Sequence, residues 1–293
     1  MHLPSFQNPA WRKAPVRTSL RVAASLVRKR VPFLRRTVVA YDGGRSRVAV
    51  DLSTALGLTL YRYPYREPEI ELLARLLAPG DTFIDGGANI GLFTLVAASR
   101  VGPHGKVVAF EPASTTRSRL ANNATLSGFS WIDIRSTALS DAEGELELVV
   151  FDGDGAGLSS FSPANTGGGR RETVRIVTLD SALADIDPTR LRAIKLDLEG
   201  AEHAALRGAH ETLSKARPDL VLELEPEHLA RQGTNAAAVT GLLRSHGYEL
   251  FRVVWDHGDR LALRRYAEGP HAHPNVFATC NVPRIEAHGI HRL

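Results

Sequence analysis

Between residues 82 and 100 the chain reads Thr-Phe-Ile-Asp85, then Gly86-Gly-Ala-Asn-Ile-Gly91, then an apolar-rich helical run from Leu92 to Arg100. A compact strand that enters a helix through so small-residued a turn narrows the folds open to the chain. The glycines let the backbone bend tightly and come close to a ligand, and the helix start offers unpaired amides. Glu111 stands twenty residues past Gly91, at the end of the next apolar run, Lys106 to Phe110. A carboxylate there can accept hydrogen bonds from both hydroxyls of a ribose, as in nucleoside-binding α/β proteins. Gly86, Gly87 and Gly91 do not fit the G-x-G-x-x-G frame, which disfavours a dinucleotide fold and a nicotinamide dehydrogenase.

Around this turn, short apolar runs alternate with helical patterns, the signature of α/β units. Strands are expected at 48–52, 82–85, 106–111, 131–139, 173–179, 193–199 and 218–225, with an outer strand or hairpin at 145–151. Helices are expected at 69–77, 92–100, 114–128, 201–216 and 236–246, and residues 248–255 and 275–281 make a reversed pair that finishes the sheet. Residues 152–169, rich in Gly, Ser, Pro, Asn and Asp, form an 18-residue loop, a length often functional. No internal repeat is visible.

The formal charge of +4 is unevenly spread. Residues 1–47 hold eleven Lys/Arg and a single acid, Asp42, whereas the remainder holds 25 basic and 31 acidic side chains. Residues 1–47 are therefore read as a basic, partly helical extension and 48–293 as one catalytic domain. Leu20, Val22, Ala23, Leu26 and Val27 can share one helical stripe; a short helix packed on the main domain, or a frayed arm, is the favoured reading. A polyanion or a membrane surface is the alternative contact for this segment. The arginines interrupt any secretory h-region, while an Arg-rich presequence stays open. No apolar run reaches the roughly 18 to 20 residues of a transmembrane helix. A single cysteine, Cys280, excludes an internal disulfide framework and suits a reducing compartment, so a cytoplasmic location is expected.

Asp85-x-Gly87-x-Asn89-x-Gly91 follows the acid-x-Gly-x-Gly-x-Gly style of methyltransferase loops, with Asn89 at the central glycine. Together with Val108-Ala-Phe-Glu-Pro112, Leu120-x-x-Asn123, Ala138-Leu-Ser-Asp141, Thr178-Leu-Asp180, Ile194-Lys-Leu-Asp-Leu-Glu-Gly-Ala-Glu202 and Pro218-Asp-Leu-Val-Leu-Glu223, it resembles the successive blocks of the FkbM family of methyltransferases, over about residues 65–283. The resemblance implies a class I Rossmann-like three-layer sandwich with a mostly parallel seven-stranded sheet and a reversed C-terminal strand. It implies S-adenosylmethionine as methyl donor, leaving S-adenosylhomocysteine, and as acceptor an oxygen of a small-molecule natural product, sugar or glycan. Carried onto matching positions, Asp85, Gly87, Asn89 and Gly91 line the methionine and ribose side, and Glu111 holds the ribose. Ser140 and Asp141 border the adenine, Asp197 faces the sulfonium, and the family's Gly-x-Ser-Ser pattern falls on Gly157 to Phe161.

A hydroxyl acceptor benefits from a base. Asp197, Glu199 and Glu202 crowd one strand exit and Glu223 and Glu225 the next; Asp197 or Glu199 is the expected catalytic base, its pKa raised by burial and like-charged neighbours. Glu202 is as well read as a cap on the following helix. Hard carboxylate oxygens suit Mg²⁺, but no spacing demands a metal and none is assigned. His203 is better read as packed or exposed than as a proton shuttle, and His271 and His273 as a loop. Tyr61, Tyr63 and Tyr65 pack as an amphipathic strand more readily than they roof an adenosine. Two rival functions stand: an RNA-directed methyltransferase using the basic arm, and a non-catalytic binding protein on the same scaffold. The acidic main domain and the lack of an Asn-Pro-Pro-aromatic motif weigh against the first, and Asp85, Glu111 and Asp197 against the second.

Overall fold

The structure, a computed structural model, describes residues 15–63, 65, 67–150, 169–258, 260–269 and 273–293. In chain order the elements are α1 (Pro15–Arg28), β1 (Arg36–Tyr41), β2 (Ser46–Asp51), α2 (Ala55–Arg62), α3 (Pro68–Leu76), β3 (Thr82–Gly86), α4 (Leu92–Val101), β4 (Lys106–Phe110), α5 (Ser114–Ser127), β5 (Ile132–Arg135), β6 (Ala138–Ser140), β7 (Gly144–Val150) and β8 (Arg170–Thr178). They continue with α6 (Leu179–Ala182), β9 (Leu191–Leu196), α7 (Glu202–Arg207), β10 (Asp219–Glu223), α8 (Pro226–Arg231), α9 (Ala236–Ser245), β11 (Glu249–Asp256), β12 (Arg260–Arg265), β13 (Asn275–Thr279), α10 (Val282–Ala287) and β14 (His291–Arg292).

The main sheet runs β14-β12-β11-β13-β10-β9-β3-β4-β5. Strands β5, β4, β3, β9 and β10 are parallel, and β13 enters antiparallel between β10 and β11. This is the expected α/β sandwich with its reversed C-terminal strand, but the sheet has nine strands where seven were expected. The additions are β12, which returns antiparallel to β11 after a turn through His257 and Gly258 in left-handed conformations, and β14 beside it.

Central strands buried on both faces need apolar side chains in both directions. Phe83, Val107, Ala193 and Val221 point into one core with Leu72, Leu73 and Ala97. Their neighbours Ile84, Val108, Ile194 and Leu222 point into the other with Leu206 and Leu213. Period-two alternation thus gives each core one half of every strand.

Three expectations change in detail. The run 131–139 divides at Ser136 and Thr137: β5 edges the main sheet, while β6 joins β8 and β7 in a separate three-stranded sheet. The helix expected at 201–216 is interrupted at Gly208, where a Cβ would lie 2.2 Å from the Ser140 carbonyl oxygen, and ends in a π turn at Thr212–Ala216. The strand expected from residue 48 begins at Ser46 and pairs with β1, so the boundary drawn after residue 47 falls inside a hairpin.

That hairpin is bonded to the body. Asn123 of α5, fully buried, accepts from Ala49 N at 2.8 Å and donates to Ile90 O at 2.9 Å, linking β2 to the glycine turn. Arg100 forks onto Asp42 at 2.6 and 2.8 Å. Helix α1 packs against α2 through Thr18 and Ser25, while Leu20, Leu26 and Val27 of its aliphatic stripe stay exposed. No helix among the described residues is long and apolar enough to cross a membrane.

Candidate active site

Strand β3 ends in a turn that folds back onto its neighbours. Gly87 N and Ala88 N donate to Phe110 O at 3.0 and 2.9 Å, and Gly87, Asn89 and Gly91 all adopt positive φ. At Gly87 a side chain is excluded twice over, by a φ of +70° and because a Cβ would sit 1.9 Å from the Asp197 carbonyl oxygen. The missing side chain lets the end of β9 meet the glycine turn.

Glu111, just past β4, is buried; its two oxygens accept from Ala113 N at 3.0 Å and Asn89 N at 2.9 Å. Each carboxylate oxygen has a second acceptor position, so the group can still take a diol. Burial pushes its pKa up to about 7, against the pull of those two amides and of Lys195.

Lys195 organises the floor. It is the lone charge within β9 that points inward, with Nζ donating to Gly87 O at 2.7 Å and Gly86 O at 3.2 Å, and lying 3.3 Å from Asp85 and 3.5 Å from Asp197. Burial works against its charge, but Asp85 and Asp197 outweigh burial and raise its pKa. Asp85, fully buried, accepts from Thr94 Oγ1 at 2.6 Å on one oxygen and faces Lys195 with the other as an ion pair. The sequence reading passed over Lys195. Its signal was there: a lysine amid Ala193, Ile194 and Leu196 in a central strand must be paired to be buried.

Beyond the floor lies a group of carboxylates at the strand exits. Burial, with Asp197 and Glu202 nearby, pushes Glu199 up to about 8; its Oε2 is 2.8 Å from His228 Nδ1, and its backbone holds a φ of +54°. Glu223 is raised by burial and by the Asp197 carboxylate, with which it shares a hydrogen bond. Glu67, which accepts from the Tyr65 hydroxyl, is likewise raised by burial. Glu202 does not cap the helix that follows, which has no side-chain cap: 1% exposed, it accepts from two amides of the preceding turn, Leu198 N at 2.5 Å and Gly200 N at 3.4 Å, with its pKa raised to about 7 by burial.

A cavity at these strand ends is lined by Gly87, Asn89, Glu111, Asp197, Glu199 and Glu223, with Phe110, Leu139 and Leu148 on its apolar side. The other expected residues stand elsewhere. Asp85 and Gly91 lie behind the lining, the first holding Lys195 and the second starting α4 against Leu120. Ser140 and Asp141, expected beside an adenine, follow directly on the lining stretch Thr137–Leu139 without being part of it, and Asp141 pairs with Arg207. His203 bonds Thr234 Oγ1 at 3.0 Å, and His273 caps Asn275 N in an exposed loop. Tyr61 and Tyr63 belong to the α2 segment rather than to a strand. The Gly157–Phe161 stretch and His271 lie outside the described residues. A larger hollow of about 460 Å³, near His104, Asp133, Asp185 and Arg190, opens at the amino-terminal ends of the strands. Ligands in open α/β sheets collect at the carboxyl ends, which favours the smaller cavity.

Chemically, the cavity offers a buried carboxylate for a diol, an apolar wall for a flat ring and, at Asp197, a carboxylate beside which a cation can sit. That set suits an adenosine bearing a sulfonium. Among the described residues, no group of three or more His, Cys, Asp or Glu is arranged to hold a metal ion.

The family model described as the methyltransferase FkbM domain matches residues 85–250, more than half of the chain. Methyltransferase sdnD of Sordaria araneosa is 28% identical over 205 residues, covering 59% of this chain and 76% of that protein. The AMB antimetabolite synthetase AmbE of Pseudomonas aeruginosa is 28% identical over 299 residues, covering 84% of this chain but 14% of that much longer protein. A crystal structure of methyltransferase FkbM from Methylobacillus flagellatus is 16% identical, with a TM-score of 0.43 over 92% of this chain and 60% of that one. The protein belongs to the FkbM family of S-adenosylmethionine-dependent methyltransferases.

Proposed function

We propose that the chain methylates a hydroxyl oxygen of a small, uncharged acceptor, a natural product or a sugar. When bound, S-adenosylmethionine supplies an electrophilic methyl carbon on a cationic sulfur. In this reading Glu111 accepts from the ribose hydroxyls, and Phe110, Leu139 and Leu148 flank the adenine. Gly87 and Asn89, in left-handed conformations, let the backbone of the turn come close to the ligand, and Asp197 sets a negative charge beside the sulfonium. The observation that carries the oxygen assignment is Glu199, a cavity-lining carboxylate whose pKa of about 8 makes it a stronger base than an ordinary glutamate. Glu199 takes the hydroxyl proton as the oxygen bonds to the methyl carbon, and the electron pair of the broken carbon–sulfur bond stays on sulfur. Holding the two reactants in line supplies much of the acceleration. Among the described residues that line the cavity there is no Lys or Arg to receive a phosphate, which favours a small molecule over RNA.

The test is incubation with methyl-labelled S-adenosylmethionine and a panel of sugars, phenols and alcohols beside RNA, with products read by mass spectrometry and NMR. Label on oxygen of a small hydroxyl compound, lost on Glu199→Gln with cofactor binding retained, is the expected result. Label on nitrogen or carbon, or transfer to RNA alone, would overturn it.

A further inference from the structure

Helix α1 is amphipathic with its polar side turned inward. Thr18 and Ser25 are the buried residues, 3% and 0% exposed, and Ser25 Oγ accepts from Arg62 Nε of α2 at 2.7 Å. At 100° per residue, Val16, Leu20, Ala23 and Val27 share the opposite face, and the three larger ones are 71%, 66% and 62% exposed. In the short turn that follows, Phe33 is 83% exposed. A shallow groove along the α1–α2 seam, lined by Val16, Leu20, Ala24 and Tyr61, continues the apolar strip. Aliphatic faces of this kind are normally covered.

The charge around the strip selects the cover. Residues 15–41 contain seven Lys/Arg and no acid. Arg17 is exposed at the edge of the strip, and Arg21 and Arg28 lie over the Tyr61 ring at 5.9 and 5.4 Å from its centre. An RNA would engage the arginines and leave the valines and leucine in water. A second copy of the chain would bring another seven positive charges against these. An anionic bilayer surface satisfies both halves, taking the aliphatic side chains at the headgroup boundary and the arginines against lipid phosphates. We propose that the outward face of α1 docks the enzyme on an anionic lipid surface. The active site is not needed for this contact: none of these residues lines the cavity.

The experiment is flotation of the full-length protein with vesicles of phosphatidylcholine alone or mixed with phosphatidylglycerol. Binding to the anionic vesicles only, weakened by added salt, is expected. The double variant Leu20→Ser, Val27→Ser should lower partitioning by at least about tenfold, and Arg17→Glu by about fivefold or more. Both should keep the wild-type melting temperature and S-adenosylhomocysteine affinity, since the changed side chains are exposed. Leu20→Phe, Val27→Phe should bind at least as well as wild type. Failure to float with anionic vesicles would overturn the proposal. So would RNA binding as the stronger interaction, indifferent to the serine variant, or a lipid-free dimer that the serine variant dissolves.

Discussion

Lys195 sits where three parts of the site meet: the Asp85 and Asp197 carboxylates and the two carbonyls of the glycine turn. Replacing it with Met would leave Asp85 buried without its counter-charge. Removing one partner of a buried pair costs about 3–5 kcal/mol, so Lys195→Met should lower stability by that order in urea titration. Lys195→Arg should keep the charge but not the single point of contact with Gly87 O, and should recover stability more than cofactor affinity. A loss under about 1 kcal/mol for the Met variant would mean that Asp85 is neutralised by some other means. At this scale mechanical spacing was enough to bring Gly87, Asn89 and Glu111 to one cavity, whatever each one does there. The sequence was least readable where a residue's role depends on what faces it. Nothing near Asp141 in sequence tells that Arg207, 66 residues on, pairs with it. Nothing near Asp85 tells that its place is behind the cavity wall.

Among elements, the contact that most shapes the site from outside is the one between the β1–β2 hairpin and α5. Asn123 holds Ala49 N on the hairpin and Ile90 O on the glycine turn with one buried amide. Asn123→Ala would leave both backbone groups unpaired, at about 1–3 kcal/mol each if no water replaces the amide. Hydrogen exchange should then speed up in residues 36–51 and in the glycine turn together, while the β9–β10 pairing stays protected. Faster exchange in the hairpin alone would show that the turn does not depend on it. The hairpin also explains why charge was a poor guide to organisation. Residues 36–47 are basic, yet they form part of a bonded element, because strand pairing follows backbone and apolar pattern rather than net charge. The alternation of β3, β4, β9 and β10 was legible since both their faces are buried. β12, in which Arg260 precedes Leu-Ala-Leu and Arg264-Arg follows, shows too short an apolar run to be separated from a loop without its partner β11.

For the whole molecule, the raised carboxylates make stability depend on pH. Glu111 and Glu202 at about 7 and Glu199 at about 8 keep protons that the unfolded chain, with glutamate near 4.5, has released. The native state binds more protons across that interval, so this contribution is complete below about 4.5 and is lost as pH rises through 7 and 8. Asp51 and Asp185, whose values are lowered, act below that interval. His203 and His273, lowered by burial, act oppositely near 6.5. The difference between proteins therefore carries the test: from pH 5.5 to 8.5 the wild-type melting temperature should fall by a few degrees more than that of Glu199→Gln. Parallel curves would show that Glu199 titrates as an ordinary glutamate, and its role as base would go with that.

The fold and the cofactor chemistry could be read from one turn, one acid at the right distance and a strand exit crowded with carboxylates. The acceptor could not, since the loops that select a substrate follow no spacing rule that a sequence shows. The proposed cofactor site depends most on Glu111, the carboxylate proposed to take the ribose. Isothermal calorimetry of S-adenosylhomocysteine at pH 8, where Glu111 is mostly ionised, tests this directly with the wild type and Glu111→Ala. The wild type should bind, and the variant should bind at least about tenfold more weakly while remaining folded. Equal affinity in the two proteins would contradict the account.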